Sequence, residues 1–192
     1  MIEYKKPDRV QIPPAEITHG IFAKRGVLSV LEVGCGIGGI LAQFQGMLTK
    51  VGVDNRECVL GQARAAYPHT RFILHDARRL TELFPPKSYD AVIAFDFMEH
   101  LLPEDFEPTL VQIEAIAEKF VAVWSPLGQA GMDDFNTHAR DIGEPEHHLC
   151  VVTEEYFDKR GYATMVFPSY WQRYYLDRWT ADGLLAIKEM EG

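Results

Sequence analysis

Leu31-Glu32-Val33-Gly34-Cys35-Gly36-Ile37-Gly38-Gly39 is the stretch on which the reading of this chain turns. Val27 to Val33 is a short apolar run of strand type, and it opens directly into a string of glycines. Glycine lacks the Cβ that keeps a ligand off the backbone, and it tolerates the positive φ of a sharp turn. A strand ending in such a turn and running into a helix, expected here over Gly38 to Leu48, places a nucleotide cradle at the carboxyl edge of a doubly wound sheet. Gly34, Gly36 and Gly39 also satisfy the spacing G-x-G-x-x-G, which alone fits more than one adenosine-bearing cofactor.

Outward from that turn, short apolar runs alternate with longer amphipathic segments, the pattern of a mostly parallel sheet with helices on both faces. Strands are expected at Lys50 to Asp54, Arg71 to His75, Tyr89 to Phe95 and Phe120 to Trp124, each rich in Val, Ile or Phe. Helices are expected at Arg56 to Ala66 and Pro103 to Glu118, where Phe106, Leu110, Ile113 and Ala117 recur at helical spacing. Residues 1–25 read as an extended arm or cap closed by a short helix from Ala15 to Lys24. Residues 129–148 form the long polar segment, read as an active-site loop because long loops in compact domains are usually functional. Residues 168–182 form an aromatic insertion between two last strands, Tyr162 to Phe167 and Leu184 to Glu189. A length of 192 residues suits one α/β domain over the whole chain.

Further motifs follow the glycine turn in order: Val51-Gly52-Val53-Asp54, then His75-Asp76-Ala77, then Tyr89-Asp90-Ala91-Val92-Ile93-Ala94-Phe95-Asp96-Phe97-Met98-Glu99-His100-Leu101. Together with Glu32-x-Gly34-x-Gly36-x-Gly38, this series resembles the class I S-adenosylmethionine-dependent methyltransferases. The resemblance implies their Rossmann-like fold, a seven-stranded, mostly parallel sheet with a reversed C-terminal hairpin. It also implies S-adenosylmethionine as cofactor, with S-adenosylhomocysteine as product. Carried over residue by residue, it names Glu32, Gly34, Cys35, Gly36 and Gly38 at the turn and Asp54 and Asn55 at the ribose. Asp76 and Ala77 fall at the adenine, and Phe95 and His100 beside the methionine part. In the family the first acid organises the turn or reaches the cofactor's ammonium through water, which is the role implied for Glu32.

Acidic residues outnumber Lys and Arg 28 to 19, and the resulting charge of -9 repels a phosphate backbone. Where methyltransferases of nucleic-acid bases carry an Asn/Asp-Pro-Pro-aromatic motif, this chain has Asp96-Phe97-Met98-Glu99. Both features favour a small-molecule acceptor over nucleic acid. The apolar stretch from Val27 to Phe44 is broken by Glu32 and its glycines, so it reads neither as a membrane span nor as a signal peptide, and a cytoplasmic protein is expected. Cys35, Cys58 and Cys150 are odd in number and lack metal-site spacing, which fits reduced thiols and indicates no metal site.

A hydroxyl acceptor calls for a positioned base. His100, His138, His147 and His148 fall at expected carboxyl ends of strands or in the long loop, and His147 and His148 are the candidates for that base. Tyr170, Trp171, Tyr174, Tyr175 and Trp179 suit an acceptor wall, and equally burial against the sheet or a homodimer interface. Two other readings stand beside methyl transfer: an NAD-dependent oxidoreductase on the same turn, for which no Tyr-x-x-x-Lys is present, and a non-catalytic binding subunit.

Overall fold

A computed structural model describes residues 13–128, 133–134, 146–168, 170 and 182–191. The chain forms β1 (Ser29–Val33), β2 (Thr49–Asp54), β3 (Arg71–Leu74), β4 (Tyr89–Phe95) and β5 (Ala117–Pro126). Helices α1 (Pro13–Lys24), α2 (Glu57–Ala66) and α3 (Pro103–Ile116) lie among them. After β5 come two short strands, β6 (Asp133–Asp134) and β7 (Glu146–His147), then helix α4 (Glu154–Lys159) and strands β8 (Ala163–Phe167) and β9 (Gly183–Glu189). The expected arm before residue 13, most of the 129–148 segment and most of the aromatic insertion lie outside the described residues.

Seven strands make one sheet in the order β3-β2-β1-β4-β5-β9-β8. The first five run parallel, with Val33 beside Val53, Glu32 beside Ile93 and Trp124 beside Phe95. β9 runs antiparallel to both β5 and β8, so the C-terminal hairpin is reversed in the sheet. The strand order turns back between β1 and β4, and a crevice therefore opens at their carboxyl ends. The glycine turn and the segment from Asp96 to His100 lie at that edge.

Strand alternation divides the core into two layers. Leu31, Val33, Val53, Val92, Val121 and Val123 face Leu110, Ile113 and Ile116 of α3 and Phe157 of α4. Val30, Ile93, Phe120, Ala122 and Trp124 face Phe22 of α1, Leu60 of α2, and Leu41 and Phe44. Each fully buried aromatic or aliphatic side chain contributes about 1.5–3 kcal/mol relative to exposure. Asp90 stands at the start of β4 and ties the strands together at their amino ends. Its carboxylate accepts from the backbone N–H groups of Leu28 and Ser29 at 2.7 and 3.1 Å, and it pairs with Lys119 at 2.8 Å.

One sequence expectation is corrected. No α-helix forms over Gly38 to Leu48; the segment contains only a short 3-10 helix, Leu41–Gln43. Gly38 and Gly46 both take φ of +80°, outside the helical region, and so interrupt the turns that apolar spacing alone would allow. The helix expected at Ala15 to Lys24 forms as α1, Pro13–Lys24. α1 is a layer of the core, its Phe22 packed on Phe120 and Phe44 with ring centroids 5.5 and 5.9 Å apart. It covers the face that the missing helix would otherwise share.

Candidate cofactor and acceptor site

β1 enters the glycine turn with two anchors, since the N–H groups of Gly34 and Cys35 both donate to the Val53 carbonyl, at 2.8 and 3.0 Å. Gly34, Gly36 and Gly38 have φ of +72°, +49° and +80°. All three need glycine for conformation, but their surroundings differ. A Cβ on Gly34 would stand 2.6 Å from Cγ of Phe97, and one on Gly38 would stand 2.7 Å from Cζ of Phe72. A Cβ on Gly36 would meet nothing within 4 Å. Packing therefore occupies the first and third glycines, and Gly36 is the position where a ligand can lie against bare backbone.

Three of the acidic and sulfur groups named from sequence converge here. Glu32 is buried, and its carboxylate accepts from the Leu41 N–H at 3.0 Å, which tethers the short 3-10 helix to the sheet. Burial pushes its carboxyl well above the usual carboxylate range, against the bond from Leu41 and with help from the Asp54 charge. Asp54, buried at the end of β2, accepts from the Gly36 N–H at 2.9 Å through one oxygen. Its other oxygen accepts from the Arg56 backbone N–H and from Arg56 Nε, at 3.0 and 3.2 Å. The Cys35 thiol is buried against Gly52, and desolvation first, then Glu32 and Asp54, pushes it above the usual thiol range. It is an inert packing group, so only the Cys35 backbone is offered to a ligand.

Asn55 is exposed next to Asp54. Asp76 caps the 3-10 helix Ala77–Glu82 by accepting from the Arg78 N–H at 2.9 Å. The Arg78 guanidinium also grips both Asp76 oxygens and reaches Asp105 of α3 at 3.2 Å. That grip holds the Asp76 carboxyl below the usual range. Ala77 is buried in the core beside it.

On the β4 side, Phe95 is buried, and Asp96 then takes a left-handed φ of +50° with its N–H bonded to the Trp124 carbonyl at 2.9 Å. A non-glycine residue there marks a locally strained turn. It throws Phe97 over Gly34 and starts the 3-10 helix Met98–His100. Glu99 is buried, and Ser125 Oγ donates to its Oε2 at 3.0 Å. The backbone carbonyl of Glu99 accepts from the N–H groups of Leu149 and Cys150 at 2.7 and 3.0 Å. This staple brings the buried His148 ring edge-on to His100, with centroids 5.0 Å apart. His100 Nε2 lies 4.0 Å from Glu99 Oε1.

Of the two nominated histidines, His148 thus joins the site; the His147 backbone pairs with Asp133, and its side chain, like His138, lies outside the described residues. His19, His69 and His75 belong to other parts of the structure, His19 and His75 bonded to the carbonyls of Gln45 and Arg79. Tyr170 meets Trp124 and Phe167 edge-to-face in the core, so this member of the aromatic insertion packs against the sheet. Glu99, Ser125 and Phe97 were not nominated from sequence. The one available signal was the Glu99 charge directly beside His100 at the end of the β4 motif.

Sheet order, glycine turn and the acid ending β2 define a doubly wound α/β fold of methyltransferase type. Residues 30–119 match the family described as Methyltransferase domain. The fold is similar to an S-adenosylmethionine-dependent methyltransferase from Clostridium acetobutylicum, with TM-score 0.69 and 12% identity over 96% of this chain and 94% of that one. It is similar to magnesium protoporphyrin IX methyltransferase from Synechocystis with bound S-adenosylhomocysteine, with TM-score 0.62 and 17% identity over 97% and 90% of the two chains. A methyltransferase from Archaeoglobus fulgidus gives TM-score 0.62 and 17% identity over 92% and 94%. No curated protein is close enough in sequence to count as a match. Residues 30–119 thus resemble a methyltransferase domain, and the chain has the fold of the class I S-adenosylmethionine-dependent methyltransferases. Among the described residues no helix is long and apolar enough to cross a membrane.

Proposed function

We propose that the chain binds S-adenosylmethionine at the glycine turn and transfers its methyl group in line to a small-molecule acceptor. The observation that carries this reading is the Gly36 backbone, open on its Cα side and donating its N–H to the Asp54 carboxylate. A turn bearing the Asp54 carboxylate suits a ligand with a sulfonium and an ammonium. It does not suit the pyrophosphate of NAD, which needs a helix N-terminus and its free N–H groups. Here the turn leads to a three-residue 3-10 helix, and the Leu41 N–H is already bonded to the Glu32 carboxylate.

Gly36 and the backbone of Cys35 offer the surface for the cofactor, and Asp54 takes the ribose hydroxyls by sharing the oxygen it gives to Arg56. Asp76 and Ala77 edge the adenine, Asn55 stands beside Asp54 at the ribose, and Phe95 and the 3-10 helix ending in His100 bound the methionine part. The cofactor, when bound, supplies a methyl already activated on sulfur, so the protein's task is alignment and exclusion of water. His148 and His100, beside Glu99, line the acceptor side and are the groups that handle a proton from a hydroxyl acceptor. The net charge of -9 supports a small acceptor over a nucleic acid.

Calorimetric titration of the protein with S-adenosylmethionine, S-adenosylhomocysteine and NAD tests this, with Asp54→Ala alongside. Tight binding of the first two, weakened in the variant, is the expected result. Binding of NAD alone would overturn the methyl-transfer reading, and binding of none would favour a non-catalytic subunit.

A further inference from the structure

We propose that Glu99, His100 and His148 form a binding site for one divalent first-row transition-metal ion, at the carboxyl edge of β4 and β5. Each residue offers one ligand atom, and those atoms lie within 4.8 Å of one another. His100 Nε2 lies 4.0 Å from Glu99 Oε1. An ion held tetrahedrally at about 2.0–2.2 Å sets neighbouring ligand atoms roughly 3.4 Å apart. The pair therefore needs to close by about 0.6 Å, within reach of a side-chain rotation.

The surroundings are built as the shell of such a site. Ser125 Oγ holds Glu99 Oε2 at 3.0 Å, which turns Oε1 toward His100. Outer hydrogen bonds of this kind orient a ligating carboxylate. The two backbone bonds from Leu149 and Cys150 to the Glu99 carbonyl, with the Cys150 thiol on the Leu101 carbonyl at 2.9 Å, fix the strand of chain that carries His148. Glu99 is 1% and His148 2% exposed, and a carboxylate so deeply buried is matched by a paired charge or a metal. His100, half-buried, is the side from which an ion enters.

The donor set names the ion's class. Two imidazole nitrogens and one carboxylate oxygen suit zinc, cobalt or manganese, whereas calcium and magnesium take oxygen ligands throughout. Three protein ligands also leave coordination positions open, as in catalytic rather than structural sites. An ion here would stand as a Lewis acid on the acceptor side of the cleft. His148 would then be a ligand rather than the base expected from sequence, and the absence of a metal site inferred from cysteine spacing would be revised.

The full-length protein, stripped with a chelator, is titrated calorimetrically with zinc and spectroscopically with cobalt. His148→Ala and Ser125→Ala are run in parallel, and His69→Ala controls for incidental surface histidines. The expected result is one ion per chain, with a cobalt visible spectrum of low coordination number. His148→Ala should abolish binding, Ser125→Ala should weaken it about 10–100-fold, and His69→Ala should leave it unchanged. No binding, a purely aqueous cobalt spectrum, or binding indifferent to His148→Ala overturns the site and favours a plain imidazole–carboxylate pair. Circular dichroism confirms that each variant is folded, and Ser125→Ala retains the ligands should His148→Ala not fold. S-adenosylhomocysteine is titrated into the stripped protein separately. Failure there breaks the methyl-transfer reading and leaves the ion site standing, and the reverse result breaks only the ion site.

Discussion

Gly34 and Gly36 stand two residues apart in the same turn, both with positive φ, and alanine at each should fail in a different way. At Gly34 the new methyl must adopt φ of +72° and stand 2.6 and 2.8 Å from Cγ and Cβ of Phe97. Left-handed backbone costs an L-residue about 1–2 kcal/mol. Overpacking of a filled position adds about 1–3 kcal/mol. Gly34→Ala should therefore lose about 2–5 kcal/mol, a melting temperature lower by roughly 4–20 °C for a chain of this size. At Gly36 the φ is +49° and no atom lies within 4 Å, so only the conformational cost of about 1–2 kcal/mol applies. Gly36→Ala should stay folded yet bind S-adenosylhomocysteine far more weakly, because its methyl stands where the ligand would lie. Urea denaturation gives the stabilities and calorimetry the affinities. In Gly34→Ala/Phe97→Ala the clash is gone, so the double variant should be more stable than the sum of the single losses predicts. Wild-type affinity in folded Gly36→Ala would refute the assignment of Gly36 as the cofactor-facing glycine, and additive losses in the double variant would refute the packing explanation for Gly34.

Glu32 has its folded-state carboxyl raised chiefly by burial, so ionising it penalises the fold. That penalty is absent below the unfolded value of about 4.3 and grows as pH rises toward the folded one. Glu32→Gln should match the wild type in urea melts near pH 4 and exceed it near pH 8; a difference flat in pH would refute this. Asp90 is the opposite case, since burial is outweighed by Lys119 and the Leu28 and Ser29 N–H groups, which hold its carboxyl low. Its stabilisation is present above the unfolded value of about 3.9 and is lost as pH falls through the lower folded one. Asp90→Ala should cost about 2–3 kcal/mol at neutral pH by urea denaturation. In thiol labelling of the native protein, exposed Cys58 should react first, with buried Cys35 and Cys150 following only on unfolding; early modification of Cys35 would contradict its inert environment.

Most strands were legible in the sequence because β4 and β5 are buried on both faces and so read as unbroken runs of Val, Ile, Ala and Phe. Tyr89–Phe95 is found with the bounds expected, and Ala117–Pro126 extends the expected strand at both ends. The segment after the glycine turn misled because Ile40, Leu41 and Phe44 have helical spacing and are indeed partly or fully buried. Spacing reports which residues face the core but not whether Gly38 and Gly46 will let the backbone wind.

Local order along the chain determined the strands, the glycine turn, and the placing of Glu32, Asp54 and Asp76 at strand ends, since each depends on neighbours within a few residues. Tertiary structure alone decided which glycine is open, because the ring that closes Gly34 comes from Phe97, beyond three intervening strands. It also decided that Arg78, which grips Asp76 locally, is linked to Asp105 of α3, and that Glu99, Ser125 and His148 meet. Those residues are 23 and 26 positions apart in the chain between His148 and Ser125 and between Ser125 and Glu99. Contacts over such separations are set by parallel pairing of β4 with β5 and by the bonds of Leu149 and Cys150 to Glu99. No local spacing encodes them.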